Sequence, residues 1–263
     1  MRLLSLGAGV QSSTMALMVK HGQIPMVDGA IFADTQNEPR ATMAYLDWLE
    51  KELPFPVYRV TRGDLWKAAT TVRTSGKSGN TYIKTAIPAH MTWKEGQTRV
   101  VPRWLNEDDD EAEEEVVEPL VGRAGMGMRA CTVDYKIDVI NTKVRQLIGK
   151  KRIAAKEVLV EMLIGISLDE CDRMKPNPKQ WIRSTWPLVD LGMSRADCQA
   201  WMDEKGYPQP PKSACIFCPY RSDNQWAALD ADEFERAAVF EDELQAAYMK
   251  ASAVKAIPYL HPA

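Results

Sequence analysis

The sequence holds no apolar run approaching the ~18 residues that a membrane-spanning helix needs, and its short apolar start leads straight into a polar turn rather than a secretory leader. Cysteine is sparse and odd in number, five in 263 residues, which argues against the disulfide framework of a secreted domain. Histidine is rarer still, with His21, His90 and His261 alone, so no Cys/His spacing completes a four-ligand zinc site. Neither sign of charge dominates. A net charge of -3 excludes a generally basic nucleic-acid coat but leaves room for a local basic face. The Gly-Lys-Ser/Thr ending of a Walker A loop is missing, the Rossmann GxGxxG spacing fails, and no internal repeat is present. A cytoplasmic protein is expected. With 45% hydrophobic residues the chain can bury a full core, which predicts one α/β domain with appendages.

The organising stretch is Met1 to Thr14, MRLLSLGAGVQSST. Leu3, Leu4 and Leu6 read as a buried strand, Gly7-Ala8-Gly9 as a tight turn, and the segment from Gln11 onward as the start of a helix. Glycines there let backbone N–H groups approach a phosphate, and the helix start adds uncompensated donors. Ser5, Ser12 and Ser13 add hydroxyls. Val27 to Ala33 is a second strand ending in Asp34-Thr35-Gln36-Asn37-Glu38-Pro39, and Thr35 or Asn37 is expected to begin the helix Thr42–Leu53. Polar groups at the carboxyl end of a parallel strand sit where open α/β sheets bind ligands, so Asp34 and Glu38 are expected to face one. Val57 to Val60 completes a βαβαβ pattern.

From about residue 70 to 122 the alternation stops. Lys77 lies in a turn-rich loop, Lys94 to Gln97 reads as a hairpin tip, and the acidic run Glu107 to Glu115 reads as a solvated, mobile insertion. Beyond it come Arg123, Arg129 and Cys131, then an amphipathic helix whose Ile137, Ile140 and Val144 are expected to be buried and whose Lys136 can meet an anion. Glu157 to Ile166 is a further buried strand, followed by a turn with Arg173; Ser194 to Asp197 reads as a capped helix start. Cys171 and Cys198 read as plain buried thiols. Cys215-Ile-Phe-Cys218 fits a redox pair, a zinc half-site, an iron–sulfur half-site or two unmetallated cysteines. Asp230 to Lys250 is a long amphipathic helix.

The glycine turn resembles the pyrophosphate loop of the adenine nucleotide α-hydrolase-like superfamily. The nearer resemblance is to the phosphoadenosine phosphosulfate (PAPS) reductase-like branch, with its Ser-x-Gly-x-Gly-x-Gln-Ser form. The Asp34-to-Glu38 segment, Arg129-Ala-Cys-Thr with Tyr135-Lys-Ile, and Gly165-Ile…Asp169-Glu…Arg173 resemble later segments of that family, over roughly Met1 to Trp226. Ser167 and Cys171 depart from the family pattern, as does Ala130, where iron–sulfur members carry a second cysteine. The family's reductases use a nucleophilic cysteine in a C-terminal tail; no cysteine follows Cys218, so that route is closed.

The resemblance implies a parallel five- or six-stranded sheet with helices on both faces. It implies a nucleotide-binding domain over 1–190 with an insertion at about 70–122, and a cysteine-bearing helical part over 191–263. It implies ATP with Mg2+ held by Ser5, Gly7, Gly9, Gln11, Ser12, Ser13, Asp34, Arg123 and Arg129, with Asp34, Lys136 and Arg173 serving the chemistry. Cys131, Cys215 and Cys218 would hold a 4Fe–4S cluster, or zinc. The activity expected is ATP-dependent sulfur transfer to an adenylated acceptor, a tRNA or DNA, with a sulfur-donor protein and a homo-oligomer as expected partners. The basic stretch Lys143 to Lys156 is placed to meet the nucleic acid. The alternatives are a PAPS or adenylyl-sulfate reductase using another thiol such as Cys171, and a nucleotide-binding module without chemistry.

Overall fold

The computed structural model describes residues 1–83, 87–104, 113–149, 153 and 157–261. The chain forms two compact units, Met1–Leu65 with Thr132–Ile216, and Trp66–Cys131 with Phe217–Ala263. The expected boundary at residue 190 therefore falls inside the first unit, and the insertion joins the C-terminal segment in the second.

The first unit is built on β1 (Arg2–Leu6), α1 (Val10–Lys20), β2 (Gly29–Asp34), α2 (Arg40–Glu52) and β3 (Val57–Thr61). After the excursion into the second unit come α3 (Asp138–Ile148), β4 (Val160–Ile164), β5 (Ile182–Thr185), α4 (Pro187–Asp190) and α5 (Arg195–Glu204). The five strands form one sheet in the order β5-β4-β1-β2-β3, and every pairing is parallel. Alternation along each strand divides the core. Leu4, Leu6, Ala30, Phe32 and Leu163 pack with α1, α2, α4 and α5, whereas Leu3, Ile31 and Met162 pack with Val144 of α3. Burial on both faces explains why β1, β2 and β4 read as near-continuous apolar runs. Helix α1 is covered by the sheet and by α5, so Val10 to Val19 are all buried, its polar residues included.

Two details of local structure differ from the sequence reading. Helix α2 begins after Pro39, with no side-chain cap, because Thr35 and Asn37 are engaged in the preceding turn. Residues Val133–Ile137 form a π-helical turn before α3. Its wider i→i+5 spacing moves the buried face, so Tyr135 is buried while Ile137 is 42% exposed.

The second unit contains a three-stranded antiparallel sheet, in which His90–Trp93 lies between Ala256–Tyr259 and Arg123–Met126. Two further strand pairs join Val72–Thr74 to Thr81–Ile83 and Thr98–Trp104 to Glu113–Pro119. Lys94 to Gln97 is therefore a connection between strands of different sheets, not a hairpin tip. Glu113 to Glu115 are paired strand residues rather than part of a mobile acidic insertion, and the rest of that run lies outside the described residues. The helix Ala231–Lys250 supplies Phe240, which stacks on Phe217 at 3.8 Å between ring centroids. Among the described residues no helix is long and apolar enough to cross a membrane.

Candidate functional site

The order in which strands are added to the sheet reverses between β1 and β4, and the crevice beyond the carboxyl ends of the strands at such a switch point is where open α/β sheets place ligands. The turn from β1 to α1 stands there. Ala8 is buried with a φ of 53°, a left-handed conformation that side chains rarely adopt, while Gly7 is exposed. The turn is fixed from within: the Gly7 N–H donates to Ser12 Oγ at 3.1 Å, and the Ser12 hydroxyl donates to the Gly9 carbonyl at 3.3 Å. The Ser213 hydroxyl donates to the Gly7 carbonyl from the far end of the unit. Gly9 is the N-cap of α1 and no side chain caps the helix. A Cβ on Gly7 or Gly9 would make only ordinary contacts, at 3.7 Å to Ser12 and 3.5 Å to Ser213. Among the described residues nothing demands glycine at these two positions.

Gly165, just past β4, is the opposite case. A Cβ there would lie 2.8 Å from Ser12 N and 2.9 Å from Ser12 Cα, so only glycine lets β4 approach the start of α1. The turn that follows is tied to α1 through Gln11. Its amide nitrogen donates to Ser167 Oγ and to Glu170 Oε2, both at 3.3 Å, and its carbonyl accepts from Arg195 at 3.0 Å. Arg173 donates to Glu170 at 2.6 Å with 57% of its side chain exposed. The Ser167 hydroxyl and the Arg195 backbone N–H hold the Asp169 carboxyl below the usual carboxylate range. The capped start of α5 is as expected: Ser194 Oγ accepts from the Asp197 N–H at 3.2 Å and Asp197 accepts from the Ser194 N–H at 2.8 Å.

At the end of β2, Asp34 accepts the Gln36 N–H at 2.6 Å, and Gln36 has a φ of 63°. Asn37 donates to the Thr35 carbonyl and to Asp64. Glu38 is inside, with its side chain 1% exposed. One of its oxygens accepts from the Thr35 hydroxyl at 3.2 Å and lies 3.8 Å from both Lys136 Nζ and the Cys215 sulfur. The other, Oε2, is buried with no hydrogen-bond partner. The Cys215 sulfur is 3.1 Å from the Thr35 hydroxyl, and the Ile216 N–H donates to the Asn37 carbonyl at 2.9 Å. The first cysteine of the Cys-x-x-Cys segment is thus anchored at the carboxyl end of β2.

The first unit therefore carries Ser5, Gly7, Gly9, Gln11, Ser12, Asp34 and Lys136 toward the carboxyl ends of β1 and β2, with Arg173 on the turn after β4. Ser13 is fully buried rather than presented to a ligand, and the Ser12 hydroxyl is spent on the turn. Arg123 and Arg129 belong to the second unit, where Arg129 lies over the Tyr220 ring at 5.1 Å. Cys131 and Cys218 are also in that unit. Cys215 belongs to the first unit, and within the described residues no group of three His, Cys, Asp or Glu side chains placed to hold a metal ion is found. Cys198 is buried, and burial pushes its thiol up to about 11; Cys171 is exposed, contrary to expectation. Arg195, Ser213 and the Thr35–Cys215 contact escape sequence reasoning. Only Gly165, a lone glycine directly after an apolar run, carried a signal of its own. No protein-family model and no curated protein sequence matches the chain.

Proposed function

We propose that the chain is an ATP-using enzyme of the pyrophosphate-loop type, similar to the PAPS reductase-like branch, that activates an acceptor by adenylation. One observation carries the reading most directly. At the switch point of a parallel sheet, two glycines stand where the described residues require none, beside an uncapped helix start and a buried left-handed alanine. Space kept free over backbone donors suits a polyphosphate.

The reaction supported is attack of an acceptor oxygen on the α-phosphorus of ATP. The new O–P bond forms as the bond to the bridging α,β-oxygen breaks, and pyrophosphate leaves with that electron pair. Backbone N–H groups of the turn and the start of α1 would carry the charge of the departing pyrophosphate. Lys136, held beside Glu38, adds a cation, and Asp34 closes the turn at the end of β2. Magnesium arriving with the nucleotide would neutralise phosphate charge. The resemblance implies that a sulfur nucleophile then displaces AMP from the acceptor, forming a C–S bond as the C–O bond to the adenylyl group breaks, or a P–S bond as the corresponding P–O bond breaks. The decisive experiment is isotope exchange between labelled pyrophosphate and ATP in the presence of a tRNA or DNA pool. Acceptor-dependent exchange is expected. Sulfite release from PAPS without such exchange would instead select the reductase reading, for which Cys215 is a thiol at the strand end.

A further inference from the structure

A cavity of about 540 Å³ lies on the first unit between the end of β3 and the outer face of α3. Its lining is unlike the chain as a whole. Arg62, Lys143, Arg145 and Lys179 face it with a single carboxylate, Asp138, whereas the protein carries a net charge of -3. The remaining polar groups, Asn141, Thr142 and Gln146 among them, are uncharged hydrogen-bonding side chains. The cations are held in place: Lys143 sits over the Tyr58 ring at 4.3 Å, and Arg62 donates to the Asp134 carbonyl at 3.0 Å while lying 3.7 Å from the carboxylates of both Asp134 and Asp138.

The arrangement is a track rather than a point. Arg62 lies beside Asp138 at the start of α3, and Lys143 and Arg145 follow five and seven residues further on, so the cations are spread over roughly 10 Å of the helix. A single phosphate is too small to engage cations distributed over that length. The same helical segment begins at the candidate site, because the π-helical turn leading into α3 carries Lys136, the residue beside Glu38 at the end of β2. π-Turns of this kind often mark functional positions. The groove therefore runs outward from the nucleotide end of the sheet.

We infer that this groove between Arg62 and α3 binds the phosphodiester backbone of a nucleic acid and leads it to the adenylation site, an inference that rests on the proposed reading for its purpose but not for the binding itself. Backbone contacts of this kind are sequence-tolerant and strongly salt-dependent, since each neutralised phosphate releases counterions.

The test is fluorescence anisotropy of the full-length protein with a labelled tRNA and a labelled DNA duplex, between about 50 and 200 mM salt. Lys143→Glu with Arg145→Glu should weaken binding at least about tenfold, and the neutral pair Lys143→Gln with Arg145→Gln should reduce the salt slope by about two. Asp138→Asn should tighten binding, because it removes the one carboxylate that lines the groove and one of the two beside Arg62, leaving Asp134 to hold that side chain in place; a merely structural groove would not give that opposite sign. Lys205→Glu, outside the groove, should bind as the parent does. ATP affinity by calorimetry should be unchanged in all variants. Parent-like binding by the Lys143/Arg145 variants, weakened binding by Asp138→Asn, or full competition by millimolar inorganic phosphate would overturn the inference. If the parent binds nucleic acid through these residues yet fails to bind ATP, the groove stands and the adenylation reading falls.

Discussion

Gly9 and Gly165 flank the same helix start and are small for different reasons. Gly165 is small because the backbone of Ser12 lies 2.8 Å from where its Cβ would be, and backbone cannot move aside cheaply. Gly165→Ala should therefore lower unfolding stability by about 1–3 kcal/mol in urea titrations, an overpacking cost. Gly9 meets only ordinary contact, so Gly9→Ala should leave stability within about 1 kcal/mol of the parent, or raise it slightly by stiffening the unfolded chain. If the space over Gly9 belongs to phosphate, the same variant should lose most of its ATP affinity in calorimetry. Normal affinity in a stable Gly9→Ala protein would remove the main support for the nucleotide reading. Glu38 belongs to this scale as well. Its buried, unpartnered oxygen is the group in the site with most to gain from a ligand donor.

Among the elements, the turn after β4 and the start of α5 are held together electrostatically. The Asp169 carboxyl lies below its ordinary range because the Ser167 hydroxyl and the Arg195 N–H favour the ionised form. A carboxylate lowered by folding stabilises the native state above its unfolded pKa, about 3.9, and that contribution is lost as pH falls through the lower folded value. The stability difference between the parent and Asp169→Asn should thus be constant above about pH 5 and close below about pH 4. A difference that persists unchanged into acid would show that the Asp169 charge plays no part. Ser194→Ala, which removes the α5 cap, should cost about 1 kcal/mol at neutral pH.

For the molecule as a whole, the polypeptide passes between its two units at residues 65–66, 131–132 and 216–217. A ligand bound by the first unit stabilises it by mass action. At a hundredfold excess of ATP over its dissociation constant the gain is about 2.7 kcal/mol, a rise of several degrees in the melting midpoint of the full chain. Gly9→Ala should abolish that rise while keeping the parent's unliganded midpoint. A parent protein whose midpoint ignores ATP would contradict the proposed function directly.

What the amino-acid order determined alone is what short-range physics governs. The apolar run before Gly7, the helical spacing after Gly9, the βαβαβ pattern and the Ser194–Asp197 capping box all depend on neighbours within a few positions, and each is found where the sequence placed it. Tertiary structure decided whatever needs residues far apart in the chain to meet. Ser213 reaches the Gly7 carbonyl and Arg195 reaches Gln11, while Cys215 settles against Thr35 and Glu38. None of these pairings leaves a periodicity or a spacing to read. The same holds for the exposed Ile137, turned outward by one π-helical turn, and for the second unit, whose two distant segments join only in the folded chain. Local preferences choose the elements, and the packing of both sheet faces chooses which distant side chains share the site.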